Sequence, residues 1–141
     1  MNAFPAIAAL IPHRGPNQLI DAVDACDAES VRTHALVRAD AWFAEEDGAM
    51  PGWLGLELMA QTIAAFVGLE KHRHGGSPAP GYLLGTNAYT CRLPAFAAGT
   101  RLDIEARLVF RETNGLGAFD CAIELAGQRV AEATLKVYEE T

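Results

Sequence analysis

The sequence predicts an α+β fold, one long central helix with an antiparallel sheet wrapped around it. Three observations carry that reading. One stretch of helical length and strongly apolar character, about residues 51–70, stands mid-chain. Segments alternating at every second residue precede and follow it, without the βαβ repetition that a parallel sheet requires. Between two of those segments, Asn114-Gly115 is the strongest short-range hairpin signal in the chain.

The elements follow in order. Ile7-Ala8-Ala9-Leu10-Ile11 is a short apolar helix or turn stopped by Pro12, and Gly15-Pro16 forms a tight loop. Leu19 to Cys26 and Ser30 to Arg38 read as strands. In the second, Val31, Thr33, Ala35 and Val37 share the face expected to be buried. Pro51 suits the first position of the helix, where its missing N–H is no loss. Trp53, Leu54, Leu56, Leu58, Met59, Ile63, Phe66, Val67 and Leu69 then fall on every side, which predicts a helix surrounded by protein. A basic last turn, Lys71-His72-Arg73-His74, and Gly75-Gly76 close it as in soluble helices. Gly75 to Gly81 reads as a loop. Strands follow at Tyr82 to Leu93, Arg101 to Arg111, Gly117 to Leu125 and Val130 to Tyr138, the last two joined by a turn at Gly127. Such a sheet ends in exposed edges, and two copies pairing edge to edge would cover them, so a homodimer is expected.

The 141 residues fit one domain, 1–141, with a single core. Reading the helix as a membrane span would place Glu57 in lipid and leave its caps unexplained, so no membrane is expected. With no charged-then-apolar leader, cytoplasmic residence is expected. The net charge of −7 argues against a nucleic-acid binder. Lys71, Arg73, Arg92, Arg101 and Arg107 are the cations that a small acidic carrier would meet, each on its own an ordinary solvated charge. Cys26, Cys91 and Cys121 lack metal or disulfide spacing and read as reduced structural thiols. His72 and His74 have no third ligand in view, and neither a metal nor a cofactor is expected.

Glu57 is the residue that asks for a reason. An ionised carboxylate in an apolar setting is costly unless paired or hydrogen-bonded. Gln61, four residues on, shares its helix face. On the residues alone, Glu57 is either tied to Gln61 or nearby backbone, or a functional acid.

The segment Met50-Pro51-Gly52…Glu57…Met59-Ala60-Gln61, together with Ile11-Pro12-His13-Arg14 and Leu19-Ile20-Asp21, resembles the bacterial 3-hydroxyacyl-acyl carrier protein dehydratases of the hotdog fold. Looser matches at Arg92-Leu93-Pro94…Gly99 and Val130-Ala131-Glu132-Ala133 extend the resemblance over nearly the whole chain. It is nearest to the dehydratase-like proteins of aryl polyene synthesis. The resemblance implies a hotdog domain acting on an acyl thioester of acyl carrier protein or coenzyme A, at a site shared between two subunits. A histidine from one subunit removes a C2 proton, and a helix carboxylate from the other helps expel the C3 hydroxyl. A backbone N–H at the helix start holds the thioester carbonyl. Glu57 matches the carboxylate, Gly52 or Trp53 would supply the N–H, and Gln61 would orient Glu57.

The histidine does not match. The family carries it in a Gly-His-Phe-Pro segment ahead of Met-Pro-Gly, where this chain reads Ala41-Trp42-Phe43-Ala44-Glu45-Glu46-Asp47-Gly48-Ala49. Three accounts follow. Asp47, Glu46 or His13 serves as base, although Asp47 beside Gly48 also reads as a turn acid and His13 as a packing histidine. Alternatively, the chain hydrolyses a thioester. In the third account it is a non-catalytic acyl-thioester binder, or a partner subunit that borrows its histidine from a related hotdog chain. Dehydration of a 3-hydroxyacyl thioester is the leading expectation. Phe66, Phe96 and Phe110 are the bulky candidates to limit an acyl tunnel.

Overall fold

The structure, a computed structural model, describes residues 4–77 and 81–139. Six antiparallel strands form one sheet in the order β1-β2-β6-β7-β8-β4, and a helix, α1, lies against its concave face. The strands are β1 (Ala22–Cys26), β2 (Ser30–Leu36), β4 (Gly81–Cys91), β6 (Arg101–Arg111), β7 (Leu116–Leu125) and β8 (Gln128–Glu139). Two short strands, β3 (Met50–Pro51) and β5 (Ala95–Phe96), pair beside the start of α1 (Gly55–Arg73). This is the hotdog arrangement.

Alternation decides which face is inside. Val31, Thr33 and Ala35 of β2 meet Leu102, Ile104 and Ala106 of β6 and Phe119, Cys121 and Ile123 of β7. Leu58, Met59, Ile63, Phe66 and Leu69 of α1 close that core, with Phe66 edge-on to Phe119 at 5.6 Å. Each such side chain contributes roughly 1.5–3 kcal/mol by leaving water. The buried hydroxyls of Thr33 and Thr62 pair with each other at 2.8 Å, and that of Thr62 also reaches the Leu58 carbonyl. Both satisfy polar groups where helix meets sheet.

Both expected hairpins form. Gly115 takes φ +98° between β6 and β7, and Ala126-Gly127, both at positive φ, join β7 to β8. Several boundaries differ from expectation. The first strand begins at Ala22, not Leu19, because the Leu19 and Ile20 amides donate to the Gln61 side chain and not to a ladder. Pro51 lies in β3, and the helix opens with a 3₁₀ turn over Gly52–Leu54. There the Gly52 N–H donates to the Pro94 carbonyl at 2.8 Å, which ties the helix start to the β5 segment. Of the loop expected at Gly75 to Gly81, residues 78–80 lie outside the described residues.

The helix is central but not surrounded. Its 22-residue stretch Gly52–Arg73 is long and apolar enough to cross a membrane by composition alone, yet 67% of its most apolar window is buried inside the protein, as in a core helix. Leu56, Glu57, Ala60, Ala64, Val67 and Lys71 stay half-buried, because the sheet curls around one side and leaves this stripe open. Trp53 is 65% exposed. The edge strand β4 leaves Tyr82, Leu83 and Leu84 exposed as well.

Candidate active site

Two local devices bring the site together. Arg14 folds back on its own turn, donating to the Ile11 and His13 carbonyls at 2.6 and 2.8 Å, which fixes the Pro12-His13-Arg14 bend. Gly68 lets the segment before that bend lie directly on α1, since a Cβ there would overlap the Leu10 carbonyl. Together they set the His13 ring beside the first turn of α1, with Nε2 3.5 Å from a Glu57 carboxylate oxygen.

Gln61 holds the other side. Fully buried, it donates through Nε2 to Glu57 at 2.8 Å and to the Asn17 carbonyl at 2.7 Å. Its Oε1 accepts from the Leu19 and Ile20 amides at 2.9 and 3.3 Å. One amide thereby orients the carboxylate and clamps the loop that follows His13. Glu57 itself remains 42% exposed, in the first turn of α1 where the helix dipole favours negative charge.

The His13 ring is polarised by its setting. Nδ1 is buried and has no hydrogen-bond partner among the described residues, while Nε2 faces the carboxylate. A general base needs a ring nitrogen free to meet its substrate; here one nitrogen faces Glu57 and the other is enclosed by protein.

At the helix start, Gly52 is committed at both ends. Its N–H goes to Pro94, and its carbonyl accepts the Tyr89 hydroxyl at 2.6 Å. Burial, with Cys91 alongside, pushes the Tyr89 hydroxyl well above its ordinary value, so it stays a donor. In a turn that opens at Gly52, the next amides, Trp53 and Leu54, have no acceptor within the turn and remain available. Nothing in the sequence singled out Tyr89; a lone tyrosine in a strand carries no signal.

Asp47 sits elsewhere. Its carboxylate caps the Ala49 N–H at 3.0 Å, in a turn closed by Gly48 at φ +85° and by a bond from the Glu45 N–H to the Ala49 carbonyl. Glu46 is exposed in the same turn. Neither lines the cavity beside Glu57. That cavity, about 150 Å³, runs along the open stripe of α1 from His13 and Glu57 past Ala60 and Ala64 to Lys71, with Leu83 and Val137 opposite. Phe66, Phe96 and Phe110 do not line it. Burial pushes the Cys121 thiol up to about 12, in keeping with a structural role.

A family model described as ApeP-like dehydratase matches residues 5–141. Among curated relatives, the 3-hydroxyacyl-[acyl-carrier-protein] dehydratase FabZ of Brucella melitensis biotype 2 is 30% identical over 133 residues, covering 91% of this chain and 82% of that protein. The FabZ of Bartonella quintana is 31% identical over 134 residues, covering 92% and 84%. Among solved structures, a chain of the dehydratase heterocomplex ApeI:P from Xenorhabdus doucetiae superposes with a TM-score of 0.92 at 28% identity, covering 98% of this chain and 93% of that one. A hypothetical thioesterase bound to coenzyme A from Streptococcus pneumoniae TIGR4 superposes at 0.63 with 17% identity, covering 84% and 86%, a likeness of fold alone.

Proposed function

The chain belongs to the ApeP-like dehydratase family, and we propose that it supplies the acid half of a composite site that dehydrates 3-hydroxyacyl thioesters of acyl carrier protein. The observation that carries this reading is Glu57: a carboxylate locked by Gln61 at the mouth of an apolar cavity, one turn from unspent backbone N–H groups. In the reaction a base removes the C2 proton and the C2 electrons build an enolate. The Trp53 N–H, at the positive end of the helix, holds the thioester oxygen where that charge develops. Those electrons then form the C2–C3 double bond as the C3–O bond breaks. Glu57, in its protonated form, gives its proton to the departing hydroxyl, so that water and a 2-enoyl thioester result.

The base comes from a second hotdog chain that carries the family histidine. Supporting this, the candidates on this chain are otherwise engaged: Asp47 caps a turn, and His13 turns one ring nitrogen to Glu57 and buries the other. The likeness to a chain of a dehydratase heterocomplex supports it too. His13 and Gln61 then act as positioning residues for Glu57. We place the reaction in the cytoplasm, where acyl carrier protein and its thioesters are made.

The test is to incubate a 3-hydroxyacyl-acyl carrier protein with this chain alone, and with this chain mixed with a histidine-bearing hotdog dehydratase subunit. Mass spectrometry follows the loss of water. Turnover is expected in the mixture only. Rapid dehydration by this chain alone would place the base here, and free thiol without an enoyl product would point to hydrolysis.

A further inference from the structure

The cavity is polar at both ends and apolar between. Along the open stripe of α1 the lining residues Glu57, Ala60, Ala64, Val67 and Lys71 fall three to four positions apart, so one continuous track runs down the helix. Its flanks are Leu10, Ile63, Leu83 and Val137. At a rise of about 1.5 Å per residue, Glu57 and Lys71 stand about 21 Å apart along the axis. The acid that acts on C3 is at one end, so the distal end of an extended acyl chain lies toward the other.

The charges at that far end are distributed unevenly. Glu139 also lines the cavity, but its carboxylate is held by Arg111, with Nε at 2.9 Å and the terminal nitrogen at 2.7 Å. Arg111 takes Glu70 as well, at 2.7 Å. One guanidinium, itself laid over the Phe66 ring at 5.8 Å, is thus shared between two carboxylates, which leaves the trio with one net negative charge. Lys71 is half-buried, and among the described residues it has no carboxylate partner. Lys71, His72 and Arg73 all stand in the last turn, where the helix dipole favours positive charge, but His72 and Arg73 are exposed and absent from the cavity lining. The dipole accounts for basic residues at this end of the helix and not for which of the three faces the acyl track. An ammonium without a carboxylate partner is an unspent donor of three hydrogen bonds.

We infer that Lys71 selects acyl chains whose distal end carries a negatively charged or hydrogen-bond-accepting group, a terminal carboxylate first among them, over chains ending in methyl. The inference rests on the dehydratase reading, since that reading sets which end of the substrate lies at Glu57.

The test compares two 3-hydroxyacyl-acyl carrier proteins of equal chain length, one ending in methyl and one in carboxylate. The complete dehydratase complex is used with wild type, Lys71→Met and Lys71→Arg. In parallel, binding of the corresponding acyl-pantetheines to this folded chain is titrated calorimetrically, which requires no turnover. The wild type is expected to favour the carboxylate-ended partner about ten-fold in KM and in binding, the scale of one charge-assisted hydrogen bond. Lys71→Met should erase that preference, and Lys71→Arg should keep it. Equal treatment of the two substrates by wild type, or a preference that survives Lys71→Met, overturns the assignment. Dehydration of the methyl-ended substrate reports separately on the dehydratase reading.

Discussion

Gln61→Leu is the perturbation whose cost the structure defines best. Leucine fills nearly the same volume, so the loss is one of hydrogen bonds. The Leu19 and Ile20 amides, both in buried residues, lose their acceptor at 2.9 and 3.3 Å. An unsatisfied buried donor costs about 1–3 kcal/mol, with the longer Ile20 bond at the low end. Asn17 is exposed, so its carbonyl regains water at little cost. The sum is about 3 kcal/mol, a large share of the roughly 5–15 kcal/mol that holds a domain together. Urea unfolding should show a lower midpoint at unchanged slope. Thermal unfolding should drop by about 12 °C, on a scale of about 4 °C per kcal/mol for a chain this size. A loss below about 1 kcal/mol would show that Gln61 does not clamp the loop, and the positioning of Glu57 argued from that rigid amide would fall. Gln61→Glu separates the two functions of the amide. It keeps an acceptor for Leu19 and Ile20 but sets a second carboxyl against Glu57. The introduced carboxyl, buried beside a like charge, has its pKa raised above the unfolded value. Its contribution is therefore intact at low pH and lost as pH rises through the folded value.

Further expectations follow from the same contacts. Gly68→Ala forces a Cβ into the Leu10 carbonyl and should cost about 3 kcal/mol or displace the His13 segment, read by unfolding and by loss of turnover. Tyr89→Phe removes the bond to the Gly52 carbonyl and should cost about 1 kcal/mol in a denaturant titration. His13→Gln should lower kcat less than about ten-fold, since a positioning role is lost; a fall of about 10²–10⁴-fold, the worth of a general base, would return that role to His13. Asp47→Asn keeps an oxygen for the Ala49 N–H, so turnover in the complex should be unchanged.

Much of this architecture was written in local pattern. The alternation of Val31, Thr33 and Ala35, the Asn114-Gly115 turn and the apolar run through Leu58 and Ile63 are consequences of nearest-neighbour geometry, and each element appears where that geometry puts it. The bond between Glu57 and Gln61 was legible for the same reason, being one turn of helix. What failed to show were contacts between residues far apart in sequence. The Gly52 N–H was a candidate carbonyl donor, but Pro94, more than forty residues away, takes it. Leu19 and Ile20 looked like strand residues until Gln61, also some forty residues on, accepted their amides. The approach of His13 to Glu57 depends on Gly68, whose missing side chain gives no periodic signal. The all-round apolar character of α1 suggested enclosure, whereas its small residues Ala60 and Ala64 line an open cavity.

The central claim is that Glu57 delivers the proton that turns the C3 hydroxyl into water. Single-turnover conversion of a 3-hydroxyacyl-acyl carrier protein by the two-chain complex, with Glu57→Gln set against wild type, tests it most directly. Glutamine keeps an oxygen for the Gln61 amide, so fold and assembly should survive. The account predicts an intact complex whose rate of water loss falls by about 10²–10⁴-fold. An intact Glu57→Gln complex that dehydrates at the wild-type rate would contradict it.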